Sequence, residues 1–239
     1  MKNQLKRLAA PRTWPIARKG KERWIAKPLP GAHKQRHCIP ISVALRDILK
    51  LASTTREVKR ILHDNEVLVN GNRVKKVRLG IGLFDVLAIN KLNQYYRVIL
   101  TKRNKLAFVE IKKAEANILP LKVKSKTTLR GGKIQFNFTN GWNVLSKAKH
   151  AIGSTVLFDI SKKKVGNEIK LKKGAVVAIT AGKYVGQVAK LEDIKPEGKL
   201  KKRKLALLKS LGGAAVFSTL ADSLFAVGAT KPEFTTNGK

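Results

Sequence analysis

Two histidines and the single cysteine of this chain lie close together, in the spacing His33-x-x-x-His37-Cys38. Imidazole nitrogens and a thiolate are ligands that zinc prefers, and a structural zinc site needs four ligands. The neighbouring sequence offers no fourth ligand, because the remaining histidines, His63 and His150, are remote. We therefore expect no metal site, and we interpret His33 and His37 as contacts to a binding partner or to solvent.

Motifs for phosphate chemistry and acid–base catalysis are also missing from the sequence. Neither Gly-x-x-x-x-Gly-Lys-Ser/Thr nor Gly-x-Gly-x-x-Gly, whose backbone amides hold nucleotide phosphates, occurs in it. A two-carboxylate or magnesium site needs clustered acids, whereas the aspartates stand apart and suit caps, turns or ion pairs. We predict that the protein is not an enzyme and has no cofactor and no small-molecule substrate.

The charge of the chain points to a polyanionic partner. Its 239 residues include 51 Lys and Arg against 15 Asp and Glu, a formal net charge of +36, while 43% are hydrophobic and can form cores. Nucleic acid is the strongest common polyanion, and a membrane surface is its competitor. The charge is +10 over residues 1–40, +6 over 41–100, +12 over 101–171 and +8 over 172–239. Because every segment is basic, assembly into a large RNA is favoured.

The apolar segments argue against a membrane partner. Residues 1–27 are interrupted by charge and proline, so we identify no signal peptide. Residues 210–229 contain Asp222 and alternate in polarity, which is typical of barrel strands and not of a membrane span. The lone Cys38 cannot form an internal disulfide and fits a reducing compartment. We predict a cytoplasmic protein.

The elements that must position these side chains begin with a proline-rich segment. Residues 1–40 hold five of the eight prolines and one acid, Glu22, so no long helix or strand can continue through them. The segment also contains Trp14 and Trp24, which a disordered tail usually lacks and which are candidates to stack on unpaired bases. We predict an extended basic arm that becomes ordered on its partner. The alternative is a flexible basic tail.

The next segment alternates helical and β patterns. Apolar residues at helical spacing after Ser42 predict a helix with Ser42 as its cap. Thr54 and Glu57 have the spacing of a capping box and predict a second short helix. Two β-type runs flank Asn70-Gly71, the strongest local hairpin signal. These elements predict a small α/β unit.

The remainder of the chain is mainly β in pattern. Residues 133–138 alternate and lead into a hairpin turn at Asn140-Gly141, so short strands in a barrel or sandwich are expected. Further on, two apolar strands flank the turn Gly182-x-x-x-Gly186. Its glycines permit positive φ and leave the backbone exposed, so that an RNA phosphate can approach the amides while Lys183 supplies charge.

Cationic side chains in these elements are the predicted RNA contacts. Arg56, Lys59 and Arg60 share one face of the second helix, and we favour RNA contact over a solvated face because unbalanced charge recurs nearby. For Lys201-Lys202-Arg203-Lys204 a nuclear localisation signal is the alternative to loop contact with RNA. The other predicted RNA-binding residues are Lys6, Arg7, Arg12, Trp14, His33, Lys34, Arg46, Arg73, Lys75, Lys76, Arg78, Gly182, Lys183 and Gly186.

Three sequence segments together resemble a known family. The helix–hairpin pattern with Arg56-Glu-Val-Lys-Arg-Ile-Leu and Val67-Leu-Val-Asn-Gly resembles the S4-type RNA-binding domain, and 174–191 resembles a KOW motif. Their order, joined to Leu5-Lys-Arg-Leu-Ala-Ala-Pro and Gly31-Ala-His-Lys, is similar to the archaeal and eukaryotic small-subunit ribosomal protein S4 family. The chain stops soon after the barrel, as in the shorter archaeal form. The resemblance implies a structural, rRNA-binding role.

We therefore predict an α+β, multi-domain protein with four segments. They are an extended basic arm (1–40), a small S4-like α/β RNA-binding domain (41–95), a β-rich central domain (96–171) and an SH3-like β-barrel with a KOW motif and C-terminal tail (172–239). The predicted function is that of a structural constituent of the small ribosomal subunit, which supports its assembly and translation in the cytoplasm. The partners are small-subunit rRNA and neighbouring small-subunit ribosomal proteins.

Two alternatives come from other classes of protein. A transient, non-ribosomal RNA-binding regulator, such as a KOW-type transcription or ribosome-rescue factor, differs in stoichiometry on the ribosome. An RNA-modifying enzyme needs a catalytic motif that the sequence does not contain.

Overall fold

Two compact units make up the chain in a computed structural model. One comprises Met1–Ile99 and Asn104–Leu119, and the other comprises Leu100–Arg103 and Pro120–Lys239. This division is coarser than the four predicted segments, which stay a prediction. The residues that the structure describes are 3–19, 22–64, 66–146, 150–197, 203–211 and 215–236.

The first unit combines short strands with the few helices of the chain. Some of these elements are connected by single 3-10 turns, at Arg7–Ala9, Gln35–His37 and Asn90–Leu92. Its strands are β1 (Gln4–Lys6), β2 (Trp24–Ala26), β3 (Cys38–Pro40), β4 (Val67–Val69), β5 (Asn72–Arg73), β6 (Gly80–Gly82), β7 (Val86–Ile89), β8 (Gln94–Leu100) and β9 (Leu106–Glu110). Its helices are α1 (Ile41–Val43, continued by a π-turn over Ala44–Ile48), α2 (Thr55–His63) and α3 (Lys113–Ala116).

The described strands of the first unit form three sheets. A five-stranded sheet has the order β5-β4-β7-β8-β9, and two-stranded sheets join β1 to β2 and β3 to β6. Arg97 on β8 is fully buried, and its guanidinium donates hydrogen bonds to the Glu115 carboxylate at 2.6 Å and to the Ile118 carbonyl oxygen at 2.7 Å. This buried charge is thus paired, and it ties α3 to the sheet.

The proline-rich segment differs from the extended arm that we expected. Its prolines do keep the elements short, but β1 and β2 pair antiparallel with Leu5 opposite Ile25. Trp14 is 1% exposed, and its indole Nε1 donates a hydrogen bond to the Cys38 carbonyl oxygen at 2.8 Å. The segment therefore has apolar anchors of its own and packs within the first unit.

Helix α1 begins earlier than its predicted cap. Pro40 has the extended backbone of an N-cap, and Ser42 lies inside the helix with its hydroxyl buried and unpartnered among the described residues. The prediction of Ser42 as the cap is therefore wrong. Proline fits before a helix because its missing N–H leaves no backbone donor to satisfy there. Ile41 and Leu45 bury the apolar side of this helix.

In its described residues the second unit contains two antiparallel five-stranded sheets. Their orders are β12-β11-β10-β13-β14 and β18-β17-β16-β15-β19, with the core of the latter around Val177, Leu191 and Leu208. Two 3-10 turns lie at Arg130–Gly132 and Ala221–Ser223. The strands are β10 (Ile118–Thr128), β11 (Ile134–Phe138), β12 (Asn143–Ser146), β13 (Thr155–Asp159), β14 (Lys164–Ile169), β15 (Val176–Ile179), β16 (Val188–Glu197), β17 (Arg203–Ser210), β18 (Val216–Leu220) and β19 (Leu224–Gly228).

Both hairpin signals in the sequence are confirmed. Asn70 and Gly71 have φ of 49° and 75° and connect β4 to β5, while Gly141 has φ of 78° between β11 and β12. The fold is β-rich with few helices and several sheets, which confirms the prediction at the level of fold class. No helix within the described ranges is long and apolar enough to cross a membrane.

Candidate nucleic-acid interface

An open cleft of about 790 Å³ in the first unit brings together five of the predicted RNA-binding side chains. Lys59 comes from α2, and the other four come from β5 and the chain that follows it, which is separate from α2 in sequence. No carboxylate lines the cleft among the described residues, so its field is positive throughout. The lining consists of Leu29, Lys59, Leu62, His63, Arg73, Lys75, Lys76, Val77 and Arg78.

Helix α2 supplies one wall of the cleft, and its start is fixed by the predicted capping box. The Thr54 hydroxyl oxygen accepts a hydrogen bond from the Glu57 N–H at 3.2 Å, and the Ser53 N–H donates to the Glu57 carboxylate at 2.7 Å. Hydrogen bonds from the Ser53 backbone and then from the Thr54 hydroxyl lower the pKa of Glu57. The box fixes the start of the helix, in which Val58 is buried and Lys59 is exposed.

The hairpin after α2 supplies the opposite wall. Asn70 at its turn donates from Nδ2 to the Asp85 carboxylate at 2.9 Å and accepts from the Val86 N–H at 2.8 Å. Val74 is 3% exposed and fixes the chain just after the hairpin, so Arg73 and Lys75 on either side of it are exposed. The hairpin thereby holds consecutive cations at the surface.

Arg78 is fixed at the rim of the cleft by two hydrogen bonds. Its Nε donates to the Lys27 carbonyl oxygen at 2.8 Å, and its Nη1 donates to the Asn3 side-chain oxygen at 2.6 Å. Neither partner is charged, so the guanidinium keeps its full positive charge while its position is set. A fixed planar guanidinium suits a phosphate better than a mobile one.

Arg7 and Arg46 are paired with acids inside the fold, which the prediction of RNA contacts did not anticipate. Both contact Glu22 and Asp47, and the four N···O distances lie between 3.0 and 3.2 Å. Arg7 also donates to the Ala17 carbonyl oxygen at 2.9 Å. Their side chains are only 10% and 17% exposed, so both arginines stabilise the fold through these ion pairs, in which Glu22 joins two segments that are distant in sequence.

Trp14 and His33 are corrected in the same way. The buried Trp14 ring offers no face to a base. His33 is largely buried, and its Nε2 lies 2.8 Å from an Asp85 carboxylate oxygen. Burial opposes the charged imidazole, but the hydrogen bond and charge of Asp85 outweigh it and raise the pKa of His33. Burial in turn favours the neutral form of the Asp85 carboxyl. The hydrogen bond and charge of His33 outweigh burial and lower the pKa of Asp85, and hydrogen bonds from Asn70 and the Gly82 N–H lower it further.

The possible zinc ligands are not assembled into a site. His33 faces Asp85, while the Cys38 thiol is buried, and burial followed by the charge of Asp85 raises its pKa to about 11. A thiol with so high a pKa resists the deprotonation that metal binding needs. Within the described ranges no three His, Cys, Asp or Glu side chains are grouped as a metal would require.

The two glycines of the predicted phosphate turn have different surroundings. Both have positive φ, 101° at Gly182 and 74° at Gly186. A Cβ on Gly186 would lie 2.4 Å from the Thr101 carbonyl, so this glycine is needed for packing within the second unit, and its N–H already donates to the Ile179 carbonyl oxygen at 2.8 Å. A Cβ on Gly182 would lie no closer than 3.8 Å to its nearest neighbour, the Thr219 hydroxyl oxygen, and Lys183 is exposed. Only Gly182 and Lys183 therefore keep the exposure that a phosphate-binding turn needs.

The remaining predicted contacts are surface residues or lie beyond the described structure. Lys201 and Lys202 lie outside the described residues, and Arg203 is the first residue of β17. Exposed outside the main cleft are Lys6, Arg12, Lys34, Arg56 and Arg60.

The sequence did not predict a second cationic cleft in the proline-rich segment, although two of its lining residues, Lys6 and Arg7, are among the predicted RNA contacts. It has a volume of about 380 Å³ and lies beside the β1–β2 hairpin. A signal for it was present, because alternation around Ile25 places Trp24 on the outer face of β2, where the ring is 47% exposed. The cleft is lined by Lys6, Arg7, Leu8, Arg18, Lys19, Glu22 and Arg23.

Two family profiles match parts of the sequence. The profile described as ribosomal family S4e matches residues 92–165, and the RS4NT (NUC023) domain profile matches residues 1–36. The second match covers most of the proline-rich segment. The chain is therefore similar to one family in two separate regions.

Whole-chain comparisons give the same family. The small ribosomal subunit protein eS4 of Methanocella arvoryzae is 36% identical over 230 residues, covering 96% of each chain. The protein of the same name from Nanoarchaeum equitans is 41% identical over 194 residues, covering 81% of this chain and 83% of that relative. The crystal structure of the 30S ribosomal protein S4e from Thermoplasma acidophilum superposes with a TM-score of 0.67 at 29% identity, covering 83% of this chain and 98% of that one.

Proposed function

This chain belongs to the ribosomal S4e family, and from that membership we propose that it is a structural constituent of the small ribosomal subunit that binds small-subunit rRNA. The observation that carries the proposal is the cleft between α2 and the β4–β5 hairpin. Five cations and one histidine line it, without a carboxylate among the described residues. RNA phosphates are the ligand that such a surface neutralises.

The side chains of the cleft bind RNA phosphates in two ways. Arg73 and Arg78 can donate two parallel hydrogen bonds to one phosphate, whereas Lys59, Lys75 and Lys76 act as point charges. These contacts fix the position of the RNA backbone and do not read base edges. Recognition by this cleft is therefore recognition of backbone shape, as is usual for structured RNA.

The proposal extends to the finer architecture of the fold. Residues 41–95, with α2 packed beside the β4–β5 hairpin, act as an S4-like RNA-binding domain. Residues 96–171 are a β-rich central domain. Residues 172–239 form an SH3-like barrel with a KOW motif, for which the β15–β16 hairpin around Gly182 and Gly186 is the support.

We also propose the setting in which the chain acts. Its partners are small-subunit rRNA and neighbouring small-subunit ribosomal proteins, and its place is the ribosome in the cytoplasm. It contributes binding and charge neutralisation to assembly and translation, and it has no catalytic step. Exposed Lys6, Arg12, Lys34 and Lys183 add further phosphate contacts outside the cleft.

Stoichiometry separates this function from that of a transient RNA-binding regulator. A native lysate is sedimented through sucrose at low and at high salt, and the protein is quantified per small-subunit rRNA. We expect one copy per small subunit that remains at high salt. A substoichiometric amount that is lost at high salt would instead indicate a transient factor.

A charge-removal variant tests the cleft itself. The variant K59Q/R73Q/K75Q/K76Q should reduce the slope of log affinity against log salt concentration for small-subunit rRNA by about 3, since each phosphate contact contributes about 0.7 to 0.9. The matched control is K162Q/K164Q/K170Q/K172Q, which removes four exposed cations of the second unit. Equal losses in both variants would show that net charge, and not the cleft, determines binding.

A further inference from the structure

Trp24 differs from Trp14 in being exposed on a fixed strand. Along β2 Trp24 is exposed, Ile25 is buried and Ala26 is intermediate in burial. Ile25 is 3% exposed, whereas Trp24 is 47% exposed. On the paired strand Lys6 stands directly opposite Trp24, so both side chains project from the same face of the hairpin. The ring therefore adds little to the core of the unit. We propose that Trp24 is a stacking site for an unpaired RNA base.

The surroundings of the ring are cationic. The Arg23 guanidinium carbon lies 5.6 Å from the centroid of the Trp24 ring. Lys6, Arg18, Lys19 and Arg23 all line the neighbouring cleft. Positive side chains beside an aromatic ring are the combination that binds single-stranded nucleic acid, because the ring takes the base and the cations take the flanking phosphates.

The acid of this cleft does not cancel its field. The Glu22 carboxylate lies 3.2 Å from an Arg7 nitrogen and 3.0 Å from an Arg46 nitrogen, so its charge is paired within the fold. Arg18 is fixed in place, since it donates to the carbonyl oxygens of Leu8 at 3.0 Å and Ala10 at 2.8 Å. Neither of these carbonyls is charged, and the guanidinium remains a net cation.

The hairpin holds the ring in position before any ligand arrives. The Arg7 N–H donates to the Arg23 carbonyl oxygen at 2.9 Å, and the Lys27 N–H donates to the Asn3 carbonyl oxygen at 3.3 Å, which closes the hairpin at both ends. The inward residue Ile25 fixes the strand on the unit. A ring on such a strand loses little conformational freedom on binding, which favours affinity.

The ligand is an unpaired base and not a paired one. Bases in a duplex stack on their neighbours and offer no free face, whereas bases in loops and bulges do. Stacking on a ring accepts any base, so the site selects exposed single-stranded RNA and not a sequence. This inference deepens the proposed function and rests on it, because it assigns one contact within the same RNA complex.

The test compares RNA with and without bases. The full-length protein is titrated with a single-stranded RNA of about 12 nucleotides and with the same backbone carrying abasic sugars, which have identical phosphates. We expect the native protein to prefer the intact RNA by about tenfold. In W24A this preference should fall to about one, and in W24Y, which keeps a ring, most of it should remain. Tryptophan fluorescence should be quenched on binding in the native protein and much less in W24Y.

Control variants make each outcome decisive. L92A removes a comparably exposed apolar side chain of the same unit and should leave the preference unchanged. An unchanged preference in W24A, or none in the native protein, overturns the stacking site. If W24A binds both RNAs like the native protein but no longer enters the small subunit, the ring contacts a protein and the inference is wrong. If the native protein itself did not bind small-subunit rRNA, the proposed function would be refuted.

Discussion

At the scale of single residues, Gly82 leaves no room for a side chain. A Cβ there would lie 2.2 Å from two atoms of the His33 ring. We expect G82A to displace His33 from Asp85 and to lower the free energy of unfolding by about 2 kcal/mol, as overpacking of a core does. Urea unfolding measures this. The control G31A, where nothing lies within 4 Å, should be nearly neutral, and equal midpoints for both variants would contradict the account.

The His33–Asp85 pair should make stability depend on pH in two directions. The pKa of His33 is raised, so its stabilising effect is full below the unfolded value of 6.5 and is lost as pH rises through the folded pKa. The pKa of Asp85 is lowered, so its effect is present above 3.8 and is lost as pH falls through the folded pKa. Stability should therefore be greatest between these limits.

Urea unfolding across this range provides the measurement. The native protein should lose stability as the pH rises above 6.5, and H33Q should lose this part of the dependence while being less stable at pH 6. If H33Q lost stability above pH 6.5 as the native protein does, a group other than His33 would cause the pH dependence.

The residue scale is also where the sequence was least informative. Residue type marked Arg7, Arg46 and His33 as cations, but not the acids Glu22 and Asp85 that they meet, because these acids are remote from them in sequence. The two tryptophans could not be distinguished either. Burial of Trp14 depends on a carbonyl 24 positions away, and no local pattern encodes such a contact.

At the scale of elements, the capping box should determine the stability of α2. Removing the Thr54 hydroxyl leaves the Glu57 N–H without its partner, so T54A should lower the free energy of unfolding by about 1 kcal/mol. The neighbouring T55A changes an exposed residue inside the first turn and should have a much smaller effect. Thermal unfolding of both variants distinguishes them. Similar losses would mean that threonine at 54 does not act as a cap.

Most short-range signals predicted elements correctly, whereas contacts between distant residues were not predictable. The capping box at Thr54 and the turn at Asn70-Gly71 are local patterns, and the structure contains both. The cap at Ser42 failed because the preceding Pro40 takes the cap position, so the helix starts one residue before the predicted cap. Gly186 gave a correct positive φ, but the sequence could not show that its neighbour is Thr101.

At the scale of the whole molecule, the net charge of +36 opposes the folded state. Raising NaCl from about 50 mM to about 300 mM shortens the Debye length and should raise the melting temperature by about 3 °C, which corresponds to about 1 kcal/mol. Over the same range, affinity for rRNA should fall. A melting temperature that is independent of salt would show that the internal ion pairs already balance the repulsion.

The proline-rich segment also bears on the time order of synthesis. One of its ion-pair partners comes later in the chain, because Arg7 precedes Asp47, with which it pairs, by 40 residues. At about 5 to 20 residues per second, that interval lasts about 2 to 8 s. A nascent chain thus presents the basic residues of this segment before Asp47, which pairs with Arg7 and Arg46, exists. Any RNA near the exit of the translating ribosome meets those cations first, so rapid delivery to the correct RNA matters from the first seconds of the protein's life.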